Sequence, residues 1–247
     1  MKALIFAAGR GERMRPLTEA TPKPLLTVRG KPLLAWHLER LAAAGIDEVV
    51  INVSHLADQF PRILGDGERF GVRIHWSHEG DEPLETGGGM LQALPLLGEA
   101  PFLAVNGDIF TDFDFATLPA TPAGLAHLVL VDNPPQHPRG DFVLHSDARV
   151  SGEAAGGRPA AQDSAAPAAA RSLTYAGIGL FRPEILRDWR TVIGCAAGAA
   201  ADVPRFKLAP LLYAAAAQGE LTGQHHSGCW IDVGTPKRLA QLQATQA

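Results

Sequence analysis

Through its first 108 residues the chain alternates strand-length apolar runs with longer segments of helical spacing, and this alternation restricts the fold more than any other feature. KALIFAA (2–8), DEVVINVS (47–54), VRIHWSH (72–78) and PFLAVNGD (101–108) read as strands. PLLAWHLERLAAAG (32–45) places Leu33, Trp36, His37, Arg40 and Leu41 at helical spacing, with Pro32 at the start and Gly45 as the stop. LADQFPRILG (56–65) reads as a short helix and GGGMLQALPLLG (87–98) as a helix opening on glycines. Strands alternating with helices mean βαβ units. The expected fold is α/β: one Rossmann-like, mostly parallel twisted sheet with helices on both faces, spanning 1–247 as a single domain.

The second half loses this rhythm. GLAHLVLVDN (124–133), LTYAGIGLF (173–181), ELTGQHH (220–226) and CWIDVG (229–234) read as strands; a helix follows Pro183, and FKLAPLLYAAAAQ (206–218) and TPKRLAQLQ (235–243) read as helices. Residues 151–171 are rich in Ala, Gly and Pro with almost no large apolar side chain, which suits a mobile loop or hairpin tip with no site of its own. A second Ala/Gly segment spans about 193–202. The net charge of −4 disfavours a nucleic-acid binder, and no apolar stretch approaches membrane-spanning length. Cys195 and Cys229 form neither a disulfide framework nor a zinc site. A reducing, cytoplasmic setting is expected, and a monomer.

Ligands of open α/β sheets gather beyond the carboxyl ends of the strands. Three polar clusters stand at such ends: the loop after KALIFAA, NVSH (52–55) and NGD (106–108). The first is the most informative. A Walker loop would need Gly-Lys-Ser/Thr where Met14 and Arg15 stand, and a dinucleotide fingerprint would need glycine at Met14. Neither fits, but glycines after a strand still let backbone N–H groups face an anion. Arg10, Arg13, Arg15 and Lys23 crowd into fourteen residues, which suits a polyphosphate better than one carboxylate. A solvated basic turn is the plainer alternative.

Asp108 closes an apolar strand and Asp232 interrupts another; such carboxylates are costly unless paired or metal-bound. Two of them beside a polyphosphate cradle are what one Mg²⁺ ion asks for. Asp232 precedes a helix and could instead be its cap. Asp112 and Asp114 in FTDFDF (110–115) offer a competing pair, read here as a turn and helix start. The nine histidines, His225 and His226 among them, show no ligand spacing, and no Ser or Cys stands in a nucleophile elbow.

Together, AAGRGERMRPLTEATPKPL (7–25), PLETGGG (83–89), VNGD (105–108) and WIDVGTP (230–236) resemble the sugar-1-phosphate nucleotidyltransferase family, in family order and across essentially the whole chain. The short length, PLETGGG, VNGD, PRGDF (138–142) and the compact ending resemble its uridylyl-transferring branch in bacterial cell-wall recycling. The stretches 151–171 and 193–202 are longer than that resemblance needs.

The resemblance implies that a sugar-1-phosphate oxygen attacks the α-phosphorus of a nucleoside triphosphate, here UTP, in line, and pyrophosphate leaves. A phosphate monoester is already ionised near neutral pH, so no protein base or nucleophile is needed; alignment and charge neutralisation are. By resemblance, backbone from Ala8 to Arg13, with Gly9, Gly11 and Glu12, holds the triphosphate. Arg13 shields the departing pyrophosphate, Lys23 bridges the α-phosphate and the sugar phosphate, and Asp108 and Asp232 hold Mg²⁺. Ala7, Ala8, Glu79, Thr86, Gly87 and Gly88 fall where the family holds the base, though the glycines could equally open a helix. Asn106, Gly140, Asp141, Glu153 and Tyr175 fall near the sugar. Residues 1–115 would form the nucleotide part and 116–247 the sugar part. Mannose-1-phosphate with GTP, glucose-1-phosphate with UTP or dTTP, a metal-dependent glycosyltransferase using Asp112 and Asp114, and a silent nucleotide-sugar sensor stay open.

Overall fold

The computed structural model describes residues 1–152, 170–194 and 204–244. Most of 151–171, Glu153 included, and most of 193–202 lie outside the described residues. The chain runs β1 (Lys2–Phe6), α1 (Leu17–Ala20), the hairpin β2 (Thr27–Val28) and β3 (Lys31–Pro32), α2 (Leu33–Ala43), β4 (Glu48–Val53), α3 (Gln59–Leu64), β5 (Arg73–His78), α4 (Glu85–Leu97), β6 (Phe102–Asn106) and β7 (Ile109–Thr111). There follow β8 (Ala126–Val131), β9 (Phe142–Leu144), β10 (Val150–Ser151), β11 (Arg171–Phe181), α5 (Trp189–Ile193), α6 (Ala209–Ala217), β12 (Leu221–His226), β13 (Trp230–Asp232) and α7 (Pro236–Ala244).

Nine of these strands form one sheet, and it is mostly parallel as expected. β1 pairs in parallel with β4 and β6, β4 with β5, and β8 with β12; β11 is antiparallel to both β6 and β8. β1, β4, β6 and β8 are almost continuously apolar because both their faces are covered. Leu4, Val50 and Ala104 point into a core with Met90, Ala93 and Leu97 of α4 and Leu211 and Leu212 of α6. Their neighbours Ile5, Ile51 and Val105 point the other way, against Leu34, Leu38 and Leu41 of α2 and Phe60 and Leu64 of α3.

A third, smaller core decides where the functional residues go. Met14 from the first loop, Val28, Leu33, Phe110 of β7 and Val233, Leu239 and Leu242 around α7 pack together. β7 and β13 form an antiparallel pair of their own, with Asp232 opposite Ile109. Sequence reading missed this ladder. Asp112 and Asp114 of FTDFDF follow β7, which went unseen because a run of three residues gives no periodicity to detect. Asp114 behaves as foreseen, capping a 3-10 turn by accepting from the Ala116 N–H at 3.0 Å. β6 likewise ends at Asn106, so Asp108 sits in the turn beyond it.

His37 on the buried face of α2 holds that turn from below. Its Nε2–H donates to the Ile109 carbonyl at 2.9 Å, while Nδ1 has no partner among the described residues. Complete burial pushes its pKa down from 6.5 to about 4. An unfolded chain therefore takes up this proton near pH 6.5 and the folded one only near pH 4. Stability from the neutral ring is complete above the higher value and is lost as pH falls towards the lower, by about 3 kcal/mol in all. The melting temperature measured from pH 7 to 4.5 should fall less steeply for His37→Gln, whose amide keeps a donor but does not titrate. Equal slopes would show that His37 does not carry the effect.

Candidate active site

β1, β4 and β6 end level with one another: Phe6 lies between Asn52 and Asn106. The loop after β1 then turns across these ends. Gly11 adopts φ +63°, and a Cβ there would meet the Thr18 methyl at 2.8 Å, so the turn requires glycine twice over. Thr18 Oγ1 donates to the Gly11 carbonyl at 2.8 Å, as does the Met14 N–H, and fully buried Met14 anchors the loop. The N–H groups of Ala8, Gly9 and Gly11 are left without partners among the described residues.

This loop lines a cleft of about 910 Å³. Ala7, Ala8, Gly9, Gly11, Glu12, Arg13, Lys23, Glu79 and Thr86 line it, all singled out from sequence. Gly87 and Gly88 do not. A Cβ at Gly87 would lie 2.4 Å from the Phe206 ring, one at Gly88 would lie 2.3 Å from the Pro204 carbonyl, and both N–H groups donate to the Phe206 carbonyl. These glycines exist for close approach, but to the 204–206 segment. That segment and the residue after it supply two cationic lining residues missed in the sequence, Arg205 and Lys207; only a helix over 206–218 was legible there. Arg10 bridges the cleft mouth, donating to Glu82 at 2.8 Å and to the Asp81 carbonyl at 3.0 Å.

A second cavity of about 340 Å³ adjoins the first, sharing Arg13, Asn106 and Asp108 with it. Asp141, Tyr175 and Asp232 line it. The Asp141 carboxylate is fixed from both sides, by His137 Nε2 at 2.9 Å and the Tyr175 N–H at 2.8 Å. Burial, and then the Asp141 charge, push the Tyr175 hydroxyl pKa well up, so it is a neutral donor. Gly140 does not line the cavity. Its φ of +70° turns the chain so that Asp141 can, and a Cβ would strike the Asn133 and Leu173 oxygens at 2.6 Å. Trp230, Thr174 and His137 also line this cavity and went unrecognised, since a lone Trp or His in a strand or turn carries no pattern. Glu153 lies outside the described residues. Each cavity draws on both halves of the chain.

Where the cavities meet, charge is concentrated. Lys23 Nζ, on a nearly buried side chain, lies 2.6 Å from Asp108 Oδ2 and 3.9 Å from Asp232 Oδ1. The other Asp232 oxygen accepts from Arg238 Nη1 of α7 at 2.7 Å. The β7–β13 ladder and a bond from the Val233 N–H to the Asp108 carbonyl bring the two carboxylates together across the sequence. Arg13 reaches both cavities and makes no ion pair among the described residues. Asp112 takes no part: its carboxylate accepts from His226 Nε2 at 2.8 Å. The arrangement can hold two anions end to end, with cations and carboxylates at their junction.

Residues 2–142 match the nucleotidyl transferase family. The chain belongs to that family. Along 99% of its length it is 49% identical to the N-acetylmuramate alpha-1-phosphate uridylyltransferase of Neisseria meningitidis, covering 97% of that protein. It is 35% identical to the enzyme of the same name from Caulobacter vibrioides, over 99% of this chain and 96% of that one. Among solved structures, a Bacillus anthracis protein described as a glucose-1-phosphate thymidylyltransferase superposes with a TM-score of 0.77 at 20% identity, over 99% of this chain and 94% of that one. That likeness extends the shared fold through β10–β13, beyond the residues the family match covers.

Proposed function

We propose that this nucleotidyl transferase moves a uridylyl group from UTP to N-acetylmuramate α-1-phosphate, releasing pyrophosphate, in bacterial cell-wall recycling. The observation that carries the reading is the junction of the two cavities at Arg13, Asn106 and Asp108, with Lys23 and Asp232 beside it. The larger cleft takes the triphosphate, the smaller takes the sugar, and their phosphates meet between. Identity along nearly the whole chain with two uridylyltransferases supports the choice of substrates.

In this reading the free N–H groups of Ala8, Gly9 and Gly11 cradle the triphosphate and Arg13 holds the leaving pyrophosphate. Lys23 spans the α-phosphate and the sugar phosphate, and Asp141, held by His137, accepts from a sugar hydroxyl. Asp108 and Asp232 would hold Mg²⁺. The donor set fits: two hard carboxylates converge on one cationic point, where the Lys23 ammonium now lies, and phosphate oxygens would complete the shell. Bound there, Mg²⁺ would supply charge neutralisation to both phosphates. The residues themselves align the two anions, and no side chain has to take a proton.

All these groups come from one chain, which supports action as a monomer. Among the described residues no helix is long and apolar enough to cross a membrane, and the proposed place of action is the cytoplasm. Pyrophosphate release across four nucleoside triphosphates and several sugar-1-phosphates is the test. UTP with N-acetylmuramate α-1-phosphate should give the strongest signal, abolished by chelator and restored by Mg²⁺. A stronger signal with GTP and mannose-1-phosphate, or glucose-1-phosphate, would keep the chemistry and replace the substrates; silence throughout would sink the reading.

A further inference from the structure

Asn52, next to last in β4, lines neither cavity, yet its side chain is 2% exposed and bonded at both Oδ1 and Nδ2. Its Oδ1 accepts from the Ala7 N–H at 2.6 Å, and its Nδ2 donates to Glu79 Oε1, also at 2.6 Å. Glu79 Oε2 in turn accepts from the Leu84 N–H at 2.7 Å. Ala7 belongs to the loop that forms one wall of the larger cleft, and Leu84 to the 79–86 segment that forms the other. Three hydrogen bonds through two side chains thus join wall to wall.

The polarity of this relay dictates its residues. Asn52 must accept on one side and donate on the other, which only a primary amide does at this size. Glu79 faces two donors, so it must accept with both oxygens, as a carboxylate does. The space is equally specific: a Cβ at Gly89 of α4 would lie 2.3 Å from Glu79 Oε1 and 2.5 Å from Asn52 Nδ2. Burial raises the Glu79 pKa, opposed by the bonds from Leu84 and Asn52, so loss of either donor would push it further up and disfavour the charged carboxylate.

We propose that Asn52 and Glu79 are positioning residues that set the separation of the two cleft walls, and with it the affinity for the nucleotide. The inference rests on the reading that UTP occupies this cleft. Reversing the polarity of the relay tests it. Asn52→Asp places a second carboxylate against Glu79, and Glu79→Gln puts an amide N–H₂ in front of a donor. Each leaves a buried group unsatisfied and should raise the KM for UTP about tenfold or more, with the KM for the sugar phosphate little changed. The double variant N52D/E79Q reverses the relay. The carboxylate introduced at position 52 accepts from the Ala7 N–H and from the new amide at position 79, whose oxygen accepts from the Leu84 N–H. The double variant should bring the KM for UTP back to within about threefold of the parent.

Melting temperatures of all three variants separate a structural role from a positioning one. A double variant no better than the weaker single, recovery of melting temperature without recovery of KM, or equal rises in both KM values would each overturn the proposal while leaving the uridylyl-transfer reading intact. Should one single variant fail to fold, the other and the double still decide. A parent enzyme that releases no pyrophosphate would remove the reading and this inference with it.

Discussion

Asp108→Ala should lower turnover by about three orders of magnitude while leaving the sheet intact. The side chain stands in a turn beyond β6, about a third exposed, so little packing is lost with it. What is lost is one of two carboxylates converging at the cavity junction, and removing a preorganised electrostatic group from a reaction centre typically costs about 10²- to 10³-fold or more. In phosphoryl transfer, where the protein contributes mainly alignment and charge, little else can compensate. Asp232→Ala should behave alike, with an added loss of stability because Arg238 is left without its 2.7 Å partner. Asp112→Ala is the control. It removes a nearby carboxylate, in FTDFDF, that among the described residues engages only the His226 side chain, and turnover should stay within about twofold of the parent. Single-turnover pyrophosphate release and circular dichroism on the three variants make the comparison. Full activity of Asp108→Ala, or an equal loss in Asp112→Ala, would sink the metal assignment.

How much of this was legible in the sequence follows from the range of the interactions. β1, α2, β4, α4 and β6 announce themselves because a doubly covered parallel strand must be apolar throughout and its helix must be amphipathic, and β5 by its alternation. The boundaries moved by a residue or a few: α4 opens at Glu85, whose φ is +62°, two residues before the glycines expected to open it. The first loop was legible because glycine, arginine and lysine carry chemistry at short spacing. Nothing local predicts that Asp232 lies beside Asp108, since a three-residue ladder between β7 and β13 does the joining. Arg238 and His37 were invisible for the same reason, each acting on a site residue that tertiary packing alone brings near. Asn52 stood in a recognised polar cluster, but its meaning depends on Glu79 and Gly89, which the sheet and α4 bring to it. Gly87 and Gly88, left open between base contact and a helix start, lie in the first turn of α4 and approach Phe206 and Pro204 closely.

Lys23→Ala should produce the second large effect, and its form is diagnostic. A nearly buried ammonium is removed from between two carboxylates, leaving Asp108 and Asp232 facing each other with Arg238 as their one remaining ion-pair partner among the described residues. Without divalent cation the variant should therefore melt at a lower temperature than the parent, because like charges brought close in a partly buried site repel. Millimolar Mg²⁺ should raise its melting temperature more than it raises the parent's, since the variant's carboxylates have no ammonium to give up. Turnover should fall by roughly 10²-fold or more, the cost of losing a charge at the junction of two phosphates. The KM for the sugar phosphate should rise more than that for UTP, because the triphosphate keeps the loop amides and Arg13 whereas the incoming phosphate loses its main cation. Equal rises in both would place Lys23 on the nucleotide side alone. A melting temperature indifferent to Mg²⁺ in the variant would mean that the carboxylates it leaves behind do not form a cation site, whatever the turnover.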